Sequence, residues 1–303
     1  ITAGGVLLWA FVTWQHRRER HGKDPLVHMG LLGIVPLRSG LIGLFSQNLI
    51  LMGVFFVIPL YLQLVIGLDA LETGIKMLPV SITMFIASAV GSRLSGRFPV
   101  RGIVRGGLMT TVVAIVALLA TVKPDLGDAG FAVSMAVLGV GMGLIVSQLG
   151  NVVQSSVDAS GRGEAGGLQY TGQQLGSSLG VALIGAIVLA GLTGAFVNQV
   201  ESDTRIADEV SAQVSVAAQP GIDFVDSSQI EAAAAQADID GRTGAAIVDD
   251  YETAQLQALK AGLLAAALLA LVSLAFTGGL PHESPARDGD PADHEPAGSP
   301  VGV

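Results

Sequence analysis

Residues 39–68 read SGLIGLFSQNLILMGVFFVIPLYLQLVIGL, thirty positions without a single Asp, Glu, Lys or Arg. About 20 consecutive apolar residues are enough for an α-helix to cross the hydrocarbon core of a bilayer. Buried helices of soluble proteins need uncharged runs of only about 10–14 residues. This stretch therefore predicts a transmembrane helix, which we expect over about 39–66.

Five more stretches along the chain are long and nearly free of charge. Lys76 and Arg93 fall inside the first of them, near its two ends, where long basic side chains can extend to the membrane interface. The fold class predicted is an all-α membrane protein. The further spans are expected at about 72–94, 102–122, 129–150, 174–197 and 256–278.

The composition agrees with this prediction. Half of the residues are apolar, 14% are charged and the mean hydropathy is +0.61, more apolar surface than a soluble domain of this size needs for one core. The net charge of −9 comes from acids concentrated in segments 201–252 and 283–295. The chain has no cysteine, which excludes disulfides and thiolate metal sites. We expect no metal and no cofactor.

The two ends of the chain differ from the spans. Residues 1–14 are apolar but reach Arg17 too soon for a full span, so we expect the end of a truncated transmembrane helix there. Residues 15–38 form a basic linker. Residues 279–303 are rich in Pro, Asp and Glu, which predicts a disordered tail.

Basic residues alternate between the two sides of the predicted bundle. Lys and Arg in short loops are retained in the cytoplasm during insertion, whereas acids have little influence. The richer side is therefore expected to be cytoplasmic, with the linker and tail on it, in a multi-pass protein of the plasma membrane. That side carries Arg17, Arg18, Arg20, Lys23, Arg38, Arg93, Arg97, Arg101, Arg105, Arg162 and Arg287.

Segment 198–255 is expected to be an extracytoplasmic, acidic, helical insertion. Ile206, Val210 and Val214 recur at helical spacing, and Pro220-Gly221 breaks the pattern. A further helix is expected to run from about 246 into the last span. The insertion is either a structural cap over the outer mouth or a lid that collects a ligand.

Small residues mark positions where helices approach closely within a membrane. The motifs Gly139-Val-Gly-Met-Gly143, Gly172-Gln-Gln-Leu-Gly176 and Gly176-Ser-Ser-Leu-Gly180 are of this kind. A nucleotide-binding loop would need a preceding strand and a Lys or acidic partner at set distances, which the sequence lacks. We interpret Gly139, Gly143, Gly172, Gly176 and Gly180 as helix-packing positions.

Amide and phenol side chains within the predicted spans are the candidates for a substrate cavity. At lipid depth such groups face the bundle interior, where they either tie helices together or line a pathway. The five histidines fall in loops or the tail, and no nucleophile, base or metal constellation supports catalysis, so an enzyme is not expected. The cavity candidates are Gln47, Asn48, Tyr61, Gln63, Gln148 and Asn151.

Several motifs resemble the major facilitator superfamily, specifically its fourteen-helix drug:proton antiporters of the EmrB/QacA type. They are Asp24-Pro-Leu-Val27, Ile58-Pro-Leu-Tyr-Leu-Gln63 and Gly74-Ile-Lys-Met-Leu-Pro79. The most specific is Glu164-Ala-Gly-Gly-Leu-Gln-Tyr-Thr-Gly-Gln-Gln-Leu-Gly-Ser-Ser-Leu-Gly-Val-Ala-Leu183. The resemblance implies that the six spans form the carboxy-terminal bundle of such a transporter, preceded by the end of another helix.

The resemblance also implies a function. Members of this family export hydrophobic and often cationic compounds in exchange for protons, by rocking two bundles about a central site. The partners implied are a small hydrophobic substrate, the proton as coupling ion, the lipid bilayer and the amino-terminal bundle of the same protein, with no nucleic acid. Arg93, Arg97 and Arg101 resemble the family's cytoplasmic gating loop, with Gly96 where an acid stands, and Gln173 stands where members often have Arg.

Two other functions stay open from the sequence. One is a lipid or envelope-precursor exporter of the same superfamily. The other is a non-transporting membrane receptor or scaffold that uses segment 198–255 to bind a partner.

Overall fold

A computed structural model describes residues 28–237 and 239–281, together with residues 4, 6, 9, 10, 13, 14 and 17. Six of its helices are long and apolar enough to cross a membrane. The predicted all-α membrane fold is therefore confirmed. In chain order the helices are α1 (Val35–Leu60), α2 (Ala70–Leu94), α3 (Val100–Thr121), α4 (Asp128–Ser155), α5 (Arg162–Ser202), α6 (Asp208–Ala218), α7 (Ser227–Gln236) and α8 (Gly241–Ala275), with α6 and α7 the two that are too short to span.

The ends of the helices follow from local chemistry. Pro59 lies near the end of α1, and the chain continues as a π-helical turn over Tyr61–Val65. Gly67 then takes a φ of +76°, a conformation that glycine adopts without strain, and ends the helix. Asp69 begins α2 with a capping box, in which its carboxylate accepts a hydrogen bond from Glu72 N at 2.8 Å.

The six spanning helices pack in two layers. The front layer runs α2, α4, α1, α5, since α4 contacts both α2 and α1, and α1 contacts α5. Behind it, α3 packs on α4, and α8 packs on α1, α3 and α5. The buried core between the layers includes Ile50, Val57, Ile115, Met135 and Leu263.

Two helices extend well past the spans expected from hydropathy. The expected spans begin at 174 and 256, whereas α5 begins at Arg162 and α8 at Gly241. The sequence also placed the start of the last helix near 246, five residues late. At about 1.5 Å per residue, 41-residue α5 is about 60 Å long, twice the hydrocarbon thickness of about 30 Å. Hydropathy locates the apolar part of a helix, and it does not detect polar helical turns beyond that part.

The insertion between α5 and α8 is folded onto both helices. Tyr251 on α8 is fully buried, donates its hydroxyl to Asp223 O at 2.9 Å and accepts from Val225 N at 2.9 Å. Its ring also meets the edge of Phe196 on α5, with centroids 5.7 Å apart. The Arg205 guanidinium bridges Asp203 and Asp249. These contacts tie the insertion to the projecting ends of α5 and α8.

Parts of three sequence predictions lie outside the described residues. In the predicted helix end 1–14, only residues 4, 6, 9, 10, 13 and 14 are described, and they are helical. Residues 15, 16 and 18–27 of the linker and 282–303 of the tail lie outside the described part of the chain.

Candidate functional site

The candidate site is the front face, defined as the side of the front layer that faces away from α3 and α8. On α1, Gly40 and Gly43 face α4, Gly53 faces α5 and Val57 lies against Gly262 of α8. Asn48 occupies the remaining side of α1 and is partly exposed. The partly exposed apolar residues that share this side at helical spacing are Leu41, Met52 and Phe55.

The Asn48 amide is held in one orientation. Its Nδ2 donates to Leu44 O at 3.0 Å and to Gln47 Oε1 at 3.1 Å. Gln47 itself is buried on the side of α1 that faces α4. Because both amide hydrogens of Asn48 are used, its Oδ1 remains as an acceptor, and no described residue donates to it. On the front face, Asn48 therefore offers an unused polar acceptor on the same side of α1 as the apolar Leu41, Met52 and Phe55.

Tyr61 and Gln63 lie far from Asn48, near the end of the bundle that carries the insertion. The Tyr61 hydroxyl donates to Thr121 O at 3.2 Å and to Lys123 O at 2.7 Å, and Tyr61 is fully buried. Tyr61 therefore ties α1 to the end of α3. Of the two roles expected for a polar side chain in a span, joining helices or lining a pathway, Tyr61 has the first. Gln63 is exposed.

Gln148 and Asn151 lie on a different side of the front layer. The buried Gln148 donates through Nε2 to Gly91 O of α2 at 2.7 Å, so it also ties two helices. Ser147 contacts α2 at Gly91, and Asn151, four residues later, shares that side of α4. Asn151 is exposed, but it lies on a different side of the layer from Asn48. Of the six candidates, only Gln47 and Asn48 are hydrogen-bonded to each other.

A second amide pair was not among the predicted site residues. Gln154 Nε2 on α4 donates to Gln169 Oε1 on α5 at 3.3 Å. Gly150, one turn before Gln154, also lies beside Gln169. The pair joins α4 to α5 next to α1. It was not predicted because spacing along the sequence does not show that two amides on different helices meet.

The glycine motifs lie where helices cross. A Cβ on Gly139 or Gly143 would overlap the backbone of α2, and one on Gly176 or Gly180 would overlap the backbone of α1. Gly172 differs, because the nearest atom to its Cβ position would be Leu41 O at 3.9 Å, an ordinary contact. The sequence did not single out Gly107 and Gly141, which face each other between α3 and α4.

The end of the bundle opposite the insertion carries most of its arginines, and we call it the basic end. Arg93 ends α2, Arg97 lies in the following turn and Arg101 begins α3, so the three share one loop region. The Arg101 backbone N–H donates to Pro281 O at 3.4 Å. Nearby Arg105 Nε donates to Thr277 Oγ1 at 2.8 Å, which fixes α3 to the end of α8.

The basic end also holds the segment before α1 in place. His28 donates its backbone N–H to Glu164 Oε2 at 2.8 Å, and its Nδ1 lies 2.8 Å from Glu164 Oε1. Glu164 stands in the first turn of α5, so this contact joins the chain before α1 to the start of α5. Within the described residues, no group of three or more His, Cys, Asp or Glu could hold a metal ion.

The sequence profile of the Major Facilitator Superfamily matches residues 1–181, more than half of the chain. The chain belongs to the major facilitator superfamily. The match covers α1 to α4 and the first half of α5, which includes Asn48 and the glycine crossings of the front layer. The insertion lies beyond the matched residues of this superfamily member.

Three curated relatives have names that refer to drug efflux or to tetracenomycin C resistance and export. The chain is 27% identical over 221 residues to the tetracenomycin C resistance and export protein of Streptomyces glaucescens, covering 72% of this chain and 40% of that protein. It is 27% identical over 262 residues to the multidrug efflux pump LfrA of Mycolicibacterium smegmatis, covering 86% of this chain and 49% of LfrA. It is 30% identical over 221 residues to the drug efflux pump JefA of Mycobacterium tuberculosis, covering 69% of this chain and 39% of JefA. The chain spans less than half the length of each of these relatives.

Proposed function

We propose that this chain is the carboxy-terminal bundle of a secondary active transporter that exports hydrophobic or cationic small molecules in exchange for protons. Within the superfamily we assign it to the fourteen-helix drug:proton antiporters of the EmrB/QacA type. The names of three relatives, which refer to drug efflux or to tetracenomycin C resistance and export, support the drug-export part of this proposal. The motif resemblance supports the fourteen-helix type.

The observation that carries the proposal is the front face around Asn48. An oriented amide oxygen stands there among Leu41, Met52 and Phe55, in a span that is otherwise apolar. A binding site for varied small molecules combines a mostly apolar lining with a few placed polar groups. An acceptor without a donor suits a substrate that brings a positive charge or an N–H group.

We assign different roles to the remaining polar candidates. Gln47 supports the Asn48 amide, and Gln63 contacts substrate near the insertion end, where it is exposed. Tyr61 and Gln148 tie helices together rather than touch substrate. Asn151 is a peripheral polar position on the α2 side of α4.

The proposed orientation puts the basic end in the cytoplasm and the insertion outside the plasma membrane. The positive-inside rule supports it, because Arg93, Arg97, Arg101, Arg105 and Arg162 all lie at the basic end. We propose that the tail from about 279 is cytoplasmic and that Arg93, Arg97 and Arg101 act in a gating loop. The amino-terminal bundle of the same protein is the proposed partner of the front face. The predicted spans have no Asp or Glu deep within them that could carry the proton. The proposal of proton coupling therefore rests on family membership.

Transport by Asn48 variants of the full-length protein tests the assignment. We expect Asn48→Leu to raise the KM for ethidium, a hydrophobic cation whose amino N–H groups can donate to Oδ1, at least about tenfold, because a hydrogen bond to a charged group is worth roughly 1.5–3 kcal/mol. The matched control is Thr110→Ala on α3, which removes an exposed hydroxyl that bonds only its own helix. Equal effects of the two substitutions on KM would contradict a substrate role for Asn48.

A further inference from the structure

The insertion contains an apolar groove that the transport proposal does not use. Helix α6 packs on α5 and helix α7 packs on α8, so the two short helices form opposite walls with a space between them. The cavity in that space measures ≈ 280 Å³. We call it the insertion groove and define it by Val214 and Ala218 of α6, Ile230 and Ala234 of α7, Phe196 of α5 and Ile247 of α8.

Alanine-rich walls explain why the groove is open. On α7, Ile230, Ala233, Ala234 and Ala237 follow helical spacing and all line the groove, and Ala217 and Ala218 do so on α6. Methyl side chains are too short to fill the space between helices that are anchored on different neighbours.

Two further depressions adjoin the groove, and each is lined by an acidic residue. A cavity of ≈ 320 Å³ shares Ala234 and Ile239 with the groove and is lined by Glu231. On the other side, a shallow depression shares Ala217 with the groove and is lined by Glu209. A carboxylate therefore lies in each of the two depressions that adjoin the apolar groove.

The charge of the whole insertion has the same sign. Segment 198–255 contains twelve Asp and Glu residues but only two Arg, Arg205 and Arg242, which more than accounts for the chain's net charge of −9. A surface of one sign raises the local concentration of counter-ions, and low-dielectric walls focus the field. Anionic amphiphiles are repelled from such a groove, whereas cationic ones are attracted.

We propose that the insertion groove is a binding site for small hydrophobic cations, separate from the front face of the transmembrane bundle. The apolar walls take the hydrophobic body of the ligand, and Glu209 and Glu231 interact with its charge. At ≈ 280 Å³, the groove lies near the lower end of the size range of small-molecule sites, about 300–1,000 Å³. Binding there requires no transport, so this site and the transport function can fail independently.

Cysteine protection tests the site directly, because the chain has no native cysteine. Ala233→Cys places a thiol on the α7 wall of the groove, and Ala232→Cys is a control on the same helix outside the three cavities. The full chain carrying each substitution is reconstituted in lipid nanodiscs, and its rate of maleimide labelling is measured with tetraphenylphosphonium or with its anionic isostere tetraphenylborate. Ala217→Cys repeats the test on the α6 wall if Ala233→Cys is poorly folded.

At ten times its Kd, tetraphenylphosphonium is expected to slow labelling of the Ala233→Cys thiol about tenfold by mass action. It leaves the Ala232→Cys thiol unaffected, and tetraphenylborate protects neither. Glu209→Gln and Glu231→Gln are each expected to weaken protection by up to about fivefold, and Glu252→Gln, an exposed acid outside the groove, has no such effect. Equal protection by the two ions, protection by neither, or an equal effect of Glu252→Gln overturns the proposal.

Discussion

Gly180 on α5 lies against the backbone of Leu49 on α1, so closely that a Cβ at position 180 would overlap the Leu49 carbonyl. Helices in a membrane gain no hydrophobic driving force by leaving lipid, so their association depends on close packing of this kind. The α1 and α5 crossing therefore depends on glycine at position 180.

We expect Gly180→Ala to destabilise the bundle by about 1–3 kcal/mol, because the added Cβ forces the two backbones apart. Thermal unfolding in detergent measures the change. Gly172→Ala on the same helix is the matched control, since a Cβ there meets nothing closer than 3.9 Å. If the two substitutions lower stability equally, the crossing does not depend on close approach at Gly180.

Tyr61→Phe tests the contact between α1 and the end of α3. The substitution leaves the Thr121 and Lys123 carbonyls without the hydroxyl that bonds them, which costs about 1–2 kcal/mol of stability. Tyr170→Phe, at an exposed position, is expected to change stability little. The substrate range is expected to stay the same in both variants, and an altered range for Tyr61→Phe would instead place Tyr61 in the substrate site.

Gln63→Ala tests a substrate contact near the insertion end. Because Gln63 is exposed, its loss is expected to change which compounds are exported more than it changes the amount of folded protein in the membrane. Transport of a panel of hydrophobic cations, normalised to expression, measures the effect. A parallel loss of expression and of transport for every compound would mean that Gln63 serves packing.

The insertion is expected to lose order in acid. Hydrogen bonds from Ser228 lower the pKa of Asp226, and those from Thr243 lower the pKa of Asp240, each below its usual value. A carboxylate with a lowered pKa in the folded state stabilises the fold above the unfolded pKa of about 3.9 and loses that contribution as the pH falls through the folded pKa. The caps of α7 and α8 should therefore weaken below about pH 4.

Hydrogen exchange at the first turns of α7 and α8 measures this effect across pH 2–6. The control carries Asp226→Asn and Asp240→Asn together, because Asn also caps helices but does not titrate. Protection corrected for intrinsic exchange should fall in acid for the native chain and change less in the control. Identical pH profiles would contradict a role for these two carboxylates.

The sequence predicted the spans because their signal is local. The thirty uncharged residues 39–68 became α1 and its π-helical turn, and the glycines at 139, 143, 176 and 180 lie at the helix crossings. Gly172 belongs to the same motif but has space beside it, since the distance between α5 and α1 changes along the crossing. The spacing of glycines along one helix does not predict the distance between two helices at each glycine.

The site residues were harder to predict, because an amide looks the same in sequence whether it binds a substrate or a neighbouring helix. Gln148 and Tyr61 bond to backbone groups of other helices, while Asn48 keeps a free acceptor on the front face. The insertion groove had no sequence signal beyond alanine at helical spacing. It exists because α6 and α7 are anchored on different long helices.

Proton-driven transport by the full-length protein tests the central claim most directly. The protein is reconstituted in proteoliposomes, a pH gradient is imposed, and movement of ethidium is measured at zero membrane potential. The account predicts substrate movement opposite to the proton flow, abolished when a protonophore removes the gradient and weakened by Asn48→Leu. Substrate movement that is absent, or that is the same with and without the gradient, would contradict it.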